Sequence, residues 1–366
     1  MAALTYQYLI VNAVPVLLIL LQLASPGGST GTYGPVAFSH SPCREPIVRK
    51  EWRTLSVADR KSYISAVKCL MKKPALTSVS DIPGVSNRYE DFLGTHIVQA
   101  TNIHFVGIFY PWHRLMLVVY EKMMQSCGYS GAQPYWDWTL DGGSLAKFSS
   151  SPVFDTVTGF GGNGEYVPGN FSNPQQELFV GAPWDLPDRT GGGCISDGPF
   201  KDWIVKLGPG TNINPGPHCV RRDFAPITFT NMTSSASVAE GMSMPDFGLF
   251  SSTTEFSAHG GGHLGVGGLY GTMSDQWSSP SDPIFYLHHA NLDRLWWSWQ
   301  SKDPNARLSD ISGPLVQFDY ANQQGENATL DTKIRLGQSV NITLTVRDVM
   351  NIQGDLLCYK YDKLYV

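Results

Sequence analysis

The stretch HGGGHLGVGG, residues 259–268, decides how the rest of the chain is read. It sets His259 and His263 four apart with three glycines between them. On a helix, positions i and i+4 project to the same side. Both imidazoles could then grip one ion, provided the turn is helical. Glycine opposes a helix, by about 1 kcal/mol per residue relative to alanine. Metal binding can supply more than that, so the glycines do not forbid a helix but do need a reason. One such reason is room. A residue directly after a ligand faces the open side of a metal, and glycine there leaves space for a substrate. The competing reading is a plain glycine loop that happens to hold two histidines.

The remaining histidines weigh against the plain loop. There are nine, of which His96, His104 and His113 form one group and the adjacent His288 and His289 another, while His40 and His218 stand apart. A single histidine on an aromatic-rich face is usually a hydrogen-bonded core residue. Seven gathered as three, two and two point to metal. His104 and His113 are nine apart, about half a turn out of phase on a continuous helix. His104 is therefore expected on the segment before a helix opened near Pro111, with His113 in that helix's first turn. His96 is expected from an earlier helix or turn.

Imidazole suits zinc, copper, iron or nickel, and catalytic zinc commonly takes three protein ligands. No carboxylate sits at ligand spacing inside the histidine motifs, which disfavours a carboxylate-bridged di-iron centre. HGGGH also lacks the glutamate of the H-E-x-x-H hydrolases. Two ions with three neutral imidazoles each fit copper best. The residues alone define a dinuclear imidazole site, copper favoured over zinc.

Around these groups the chain reads as mainly α. "PIVRKEWRTLSVADRKSYISAVKCLMKK" has helical spacing, with Ser56 as N-cap and Asp59 three later, and Tyr63, Val67 and Leu70 on one face. "WHRLMLVVYEKMMQSC" and "PSDPIFYLHHANLDRLWWSWQSK" are two further helices. Between Asp141 and Phe256 the sequence is rich in Gly, Pro, Asn and Ser, and long loops with short helical turns are expected. From Asn327 onward "SVNITLTVRDV" and "DLLCYKYDKLYV" alternate as strands do, giving a small β-rich C-terminal segment.

Composition bounds the function. The 366 residues are 42% hydrophobic and 16% charged, with a formal net charge of −5. No basic footprint for a nucleic-acid partner is present. Residues 1–25 read as a signal peptide, with a membrane anchor as the alternative. Residues 26–42 read as a flexible segment and 43–366 as the catalytic domain, so no membrane partner is expected once the signal is removed. Four N-x-S/T sequons, at Asn170, Asn231, Asn327 and Asn341, fit an exported glycoprotein. Six cysteines suggest disulfides. Cys194 and Cys219 bracket a Gly/Pro-rich insert and are the first pair expected.

"GTHIVQATNIHFVGIFYPWHRLMLVVYEKMM" with "QPYWDWTLD" resembles the first copper motif of the tyrosinase and catechol oxidase family. "EFSAHGGGHLGVGG" and "SDPIFYLHHANLDRLWWSWQ" resemble its second. The similarity runs over roughly residues 43–361, and it is nearest to short, secreted fungal enzymes. The resemblance implies a four-helix bundle holding two copper ions. It puts His96, His104 and His113 on one copper and His259, His263 and His289 on the other, with His288 outside the ligand set. Phe285 matches an aromatic packed between the half-sites, and Asp293 and Arg294 match a structural polar pair.

The resemblance further implies oxidation of ortho-diphenols to ortho-quinones by dioxygen. Full tyrosinase activity, ortho-aminophenol oxidation and a hemocyanin-like oxygen carrier are the alternatives. Glu255 matches a glutamate that orients a water near copper. Gly260 stands where efficient monophenol hydroxylases often carry Asn, and Leu264 would wall the entrance, so weak monophenol hydroxylation is expected. Asn102 and Ala100 replace the cysteine that some relatives bond to a histidine, so no thioether is expected. Tyr359 and Tyr361 resemble the tyrosine motif that ends the catalytic domain. No shielding domain, and hence no latency from one, is expected.

Overall fold

The computed structural model describes residues 42–168, 186, 188–337 and 343–366. The expected signal segment, the expected flexible segment up to residue 41 and the sequons at Asn170 and Asn341 lie outside them. Among the described residues, no helix is long and apolar enough to cross a membrane.

Helix α1 (Val57–Leu70) starts where its cap says it should. The Ser56 hydroxyl accepts from the Asp59 N–H at 3.1 Å, and Tyr63, Val67 and Leu70 are fully buried. Helix α2 (Arg88–Ile103) is capped by Asn87, whose side chain accepts from the Glu90 N–H at 3.0 Å. Helix α3 (Phe109–Gln125) begins two residues before Pro111, so His113 lies in its second turn rather than its first. The proline still falls in the opening turn, where its missing N–H is not needed.

Helix α9 (Ile284–Ser301) is buried from Ile284 to Gln300, and α3 is buried nearly all round as well. Helices enclosed on every face are core helices. Here α3 packs on α9 and α2 on α3, while α9 also touches the turn that carries His259. Short α4 (Leu145–Ser149) follows α3 in the chain.

The region expected to be loops is partly helical. Helices α5 (Pro226–Thr233), α6 (Ser235–Ser243) and α7 (Phe247–Thr254) lie in it. Each starts on a legible signal: Pro226 at the first helical position, and Ser234 and Asp246 as side-chain caps. Their Ser-, Thr- and Gly-rich interiors hide the periodicity, and packing supplies what propensity does not. From α7 the chain continues through a π-helical turn, Glu255–His259, into α8 (Gly260–Gly267). Such single turns of wider pitch occur frequently at functional sites.

Among the described residues, strand structure is sparse and every sheet is two-stranded. Strand β1 (Ile47–Arg49) pairs in parallel with β8 (Tyr359–Tyr361), tying the beginning of the domain to its end. Between them lie three antiparallel pairs: β2 (Gly164–Tyr166) with β3 (Gly192–Ile195), β4 (Ile204–Val205) with β5 (His218–Cys219), and β6 (Lys333–Arg335) with β7 (Thr343–Thr345). The expected strand through "VRDV" stops at Thr345. There a capping box between Thr345 and Asp348 opens a helical turn, α11 (Val346–Val349); short α10 (Pro304–Arg307) precedes it in the chain.

The six cysteines form Cys43–Cys358, Cys69–Cys127 and the expected Cys194–Cys219, which leaves no free thiol.

The β1/β8 pair delivers charge to the core. Asp293 on α9 receives Arg114 Nε at 2.5 Å, the hydroxyls of Tyr359 and Tyr361 at 2.5 Å each, and Arg49 Nη1 at 3.3 Å. All five residues are buried. Asp293 does not pair with Arg294, which instead reaches Asp137 at 3.0 Å. The polar pair expected from the sequence thus forms two separate anchors with different partners.

Candidate metal centre

Five helical segments supply seven buried histidines. His96 comes from the middle of α2, and His104 is the extended residue that terminates it (φ −120°, ψ 140°). His113 comes from α3, His259 from the π-helical turn, His263 from α8, and His288 and His289 from α9. One ring nitrogen from each of His96, His104 and His113 lies within 4.8 Å of the others, and the same holds for His259, His263, His288 and His289. The opening stretch is helical, so His259 and His263 do share a face, with ring centroids 4.5 Å apart.

Three glycines of that stretch that do not directly follow a histidine have a packing reason. An added β-carbon at Gly261 would come within 2.5 Å of the Met232 β-carbon, and one at Gly265 within 2.6 Å of that of Phe229. At Gly262 it would meet the His288 ring at 2.1 Å. These glycines let α8 press against α5 and against α9's histidine; they do not open a channel. Gly260 is the more permissive position, where a β-carbon would meet the flexible Met232 Cε at 3.2 Å and the Glu255 carbonyl oxygen at an ordinary 3.8 Å. Leu264 is 5% exposed.

The imidazoles are oriented by main-chain carbonyls. Nδ1 of His96 lies 2.6 Å from Trp277 O, that of His104 2.8 Å from Ala100 O and that of His113 2.8 Å from Phe109 O. Nδ1 of His259 lies 3.2 Å from Glu255 O, and that of His263 2.6 Å from Met273 O. A carbonyl can only accept, so each Nδ1 carries the hydrogen and each Nε2 is left as a lone pair.

Among the described residues, Nε2 of His96, His113 and His259 has no hydrogen-bond partner. Nε2 of His263 faces only Nε2 of His289, at 3.2 Å. Buried acceptors without donors are costly. A cation answers all of them at once, and the carbonyl behind each ring is the usual outer support of a ligating histidine.

Burial also keeps the rings neutral. It pushes His104 down to about 4 and His263 down to about 3, and holds His96, His113, His259 and His289 well below the ordinary value. Neutral imidazole is the metal-binding form.

The two histidine groups meet face to face. The His113 and His289 rings stack at 4.4 Å, and His104 and His259 at 5.7 Å. Phe285 lies 5.3 Å from His96 and 4.1 Å from His289, reaching rings of both groups. The His288 ring stays in the second group, 4.7 Å from His263 and 5.8 Å from His259, and also packs on Trp138 at 5.3 Å.

A small enclosed cavity is lined by His104, His259 and His263 together with Met273, Asp275, Gln276 and Ser279. The last four are residues that sequence reasoning passed over. Only their place between two histidine-bearing helices marks them.

Glu255 is buried, and burial raises its carboxyl well above the ordinary value. Its Oε1 accepts from the Phe105 N–H at 2.6 Å.

Residues 86–302 match the family model described as the common central domain of tyrosinase. A tyrosinase-like protein of Diaporthe leptostromiformis is 36% identical over 336 residues, spanning 87% of this chain and 78% of that protein. An N-acetyl-6-hydroxytryptophan oxidase of Emericella nidulans is 33% identical over 354 residues, spanning 86% of this chain and 92% of that one. Among solved structures, a polyphenol oxidase variant from Thermothelomyces thermophila superposes with a TM-score of 0.75 at 32% identity, covering 87% of this chain and 89% of the other. The chain belongs to the tyrosinase family.

Proposed function

We propose that the protein is an exported dinuclear copper oxidase that converts ortho-diphenols to ortho-quinones with dioxygen. The observation that carries this reading is the set of buried Nε2 lone pairs without donors, each backed by a carbonyl on Nδ1. His96, His104 and His113 would hold one copper, and His259, His263 and His289 the other. His289 is preferred to His288 because its ring stacks on His113 of the opposite group. Bound copper supplies the redox chemistry by which dioxygen takes electrons from the diphenol. Each diphenol gives up two electrons and two protons, and one dioxygen consumes two diphenols and leaves as two waters. Three disulfides support an oxidising compartment.

The chain's own contributions are orientation and exclusion. Main-chain carbonyls lock five of the six rings, the sixth, His289, is held by packing against His113 and Phe285, and Phe285 fills the space beside them and keeps water out. Monophenol hydroxylation needs more, because the phenol must lose its proton near the metals. A water held beside His259 would accept it, and Gly260 has no side chain to hold one. Diphenol oxidation is therefore strong and monophenol hydroxylation weak.

The test is metal analysis followed by a panel of catechol, tyramine and an ortho-aminophenol on the copper-loaded protein. Two coppers per chain with catechol fastest is the expected result. One metal atom per chain, or reversible oxygen binding without turnover of any substrate, overturns the reading.

A further inference from the structure

We infer that Glu255 is a positioning residue that couples the two histidine groups, holding the turn of His104 with its side chain and the ring of His259 with its main chain. The inference rests on the dinuclear reading above and adds a role within it. Glu255 opens the π-helical turn, and its carbonyl oxygen lies 3.2 Å from His259 Nδ1. Its carboxylate reaches across to the other group, accepting from the Phe105 N–H at 2.6 Å. Phe105 directly follows His104. One residue thus touches both half-sites.

The held turn needs holding. Phe105 has φ +57°, a left-handed conformation that bulky L-residues avoid. It is 2% exposed, so its N–H cannot turn to water. Glu255 takes that N–H, and the Phe105 carbonyl accepts from the Phe318 N–H at 3.1 Å while the two rings stack at 4.3 Å. Strained backbone of this kind persists only where its surroundings over-determine it. It turns the chain sharply between α2 and α3, which is what swings His104 toward His96, with ring centroids 5.0 Å apart. Without the carboxylate, the turn relaxes around a buried unpaired donor, and His104 leaves its group. The main-chain hold on His259 is untouched by any side-chain change.

Reach and the ability to exchange a proton separate this role from that of a glutamate holding a water or a proton. Glu255→Gln keeps an acceptor oxygen at the same distance and removes the ionisable group. Glu255→Asp keeps the ionisable group and falls one methylene short of Phe105. The readouts are copper equivalents per chain and the paramagnetic resonance of the oxidised protein, in which a coupled pair is silent and a lone Cu(II) is not.

Glu255→Gln is expected to load and couple like the unaltered chain. Glu255→Asp is expected to lose about half its copper and show a lone-ion signal. In a His96→Ala background, where the first group is already broken, Glu255→Asp is expected to change nothing further. An Asp variant that keeps a full coupled pair overturns the proposal, as does a Gln variant that loses it. An unaltered chain that never loads two coupled ions would instead overturn the dinuclear reading itself.

Discussion

A β-carbon on Gly262 would lie 2.1 Å from Cε1 and 2.2 Å from Nδ1 of His288, so the glycine marks the place where a ring from the neighbouring helix sits. Alanine is the better helix former by about 1 kcal/mol, yet here it has nowhere to go. Gly262→Ala is expected to destabilise the protein by about 1–3 kcal/mol through overpacking. Gly260→Ala, whose tightest contact is the flexible end of Met232 at 3.2 Å, should be neutral or stabilising. Denaturant melts of both variants check this; equal midpoints would refute it.

Gly260 also follows His259 directly in the chain. An asparagine there would bring a hydrogen-bonding group beside the metal centre and give a water something to hold. Gly260→Asn is expected to raise the ratio of tyramine to catechol initial rates several-fold while leaving the catechol rate within about threefold. An unchanged ratio would remove the explanation offered for weak monophenol hydroxylation.

The metal-free protein should lose stability in acid. Burial holds His104 at about 4 and His263 at about 3, against about 6.5 in the unfolded chain. The unfolded state therefore binds more protons, and stability rises with pH. This contribution is complete above about pH 6.5 and fades as pH falls through about 4 and then 3. Glu255, whose carboxyl burial raises well above the ordinary value, works in the opposite direction and adds nothing to that acid loss. Thermal midpoints of metal-free protein at pH 7 and pH 4 measure the effect. A flat profile would mean that the rings are already hydrated.

Asp293 is the hub on which Arg114, Arg49, Tyr359 and Tyr361 converge. Removing it strands the buried guanidinium of Arg114 and leaves that of Arg49 to Glu121 alone, at 3.1 Å. Asp293→Ala is expected to cost on the order of 3–5 kcal/mol, and Tyr359→Phe about 1 kcal/mol. Chemical denaturation of the two variants gives the comparison. A Tyr359→Phe cost as large as that of Asp293→Ala would contradict the hub.

Legibility followed periodicity and capping. Helices α1 and α3 and the long α9 could be read because apolar spacing and an opening cap or proline agree, whereas α2 was left as a helix or a turn. Helices α5 to α7 were hidden because Ser, Thr and Gly dominate them, although Ser234 and Asp246 were caps in plain view. The turn at Val346–Val349 was misread as strand because branched residues outweighed the Thr345/Asp348 capping box. The metal-site histidines were legible as groups, since spacing and grouping are properties of the chain. Phe105 and its bond to Glu255 were not, because the two are separated by 150 positions.

The sequence by itself determined the helices that flank the site, the chemistry of its donors and one of three disulfides. Those follow from local rules: side-chain period, caps, and the preference of imidazole for certain ions. Only the tertiary structure decided which nitrogen of each ring is free, why the glycines are there and what Glu255 touches. Each of these depends on atoms brought together from different helices. Contact distances between distant segments are fixed by packing, and no local pattern in the chain encodes them.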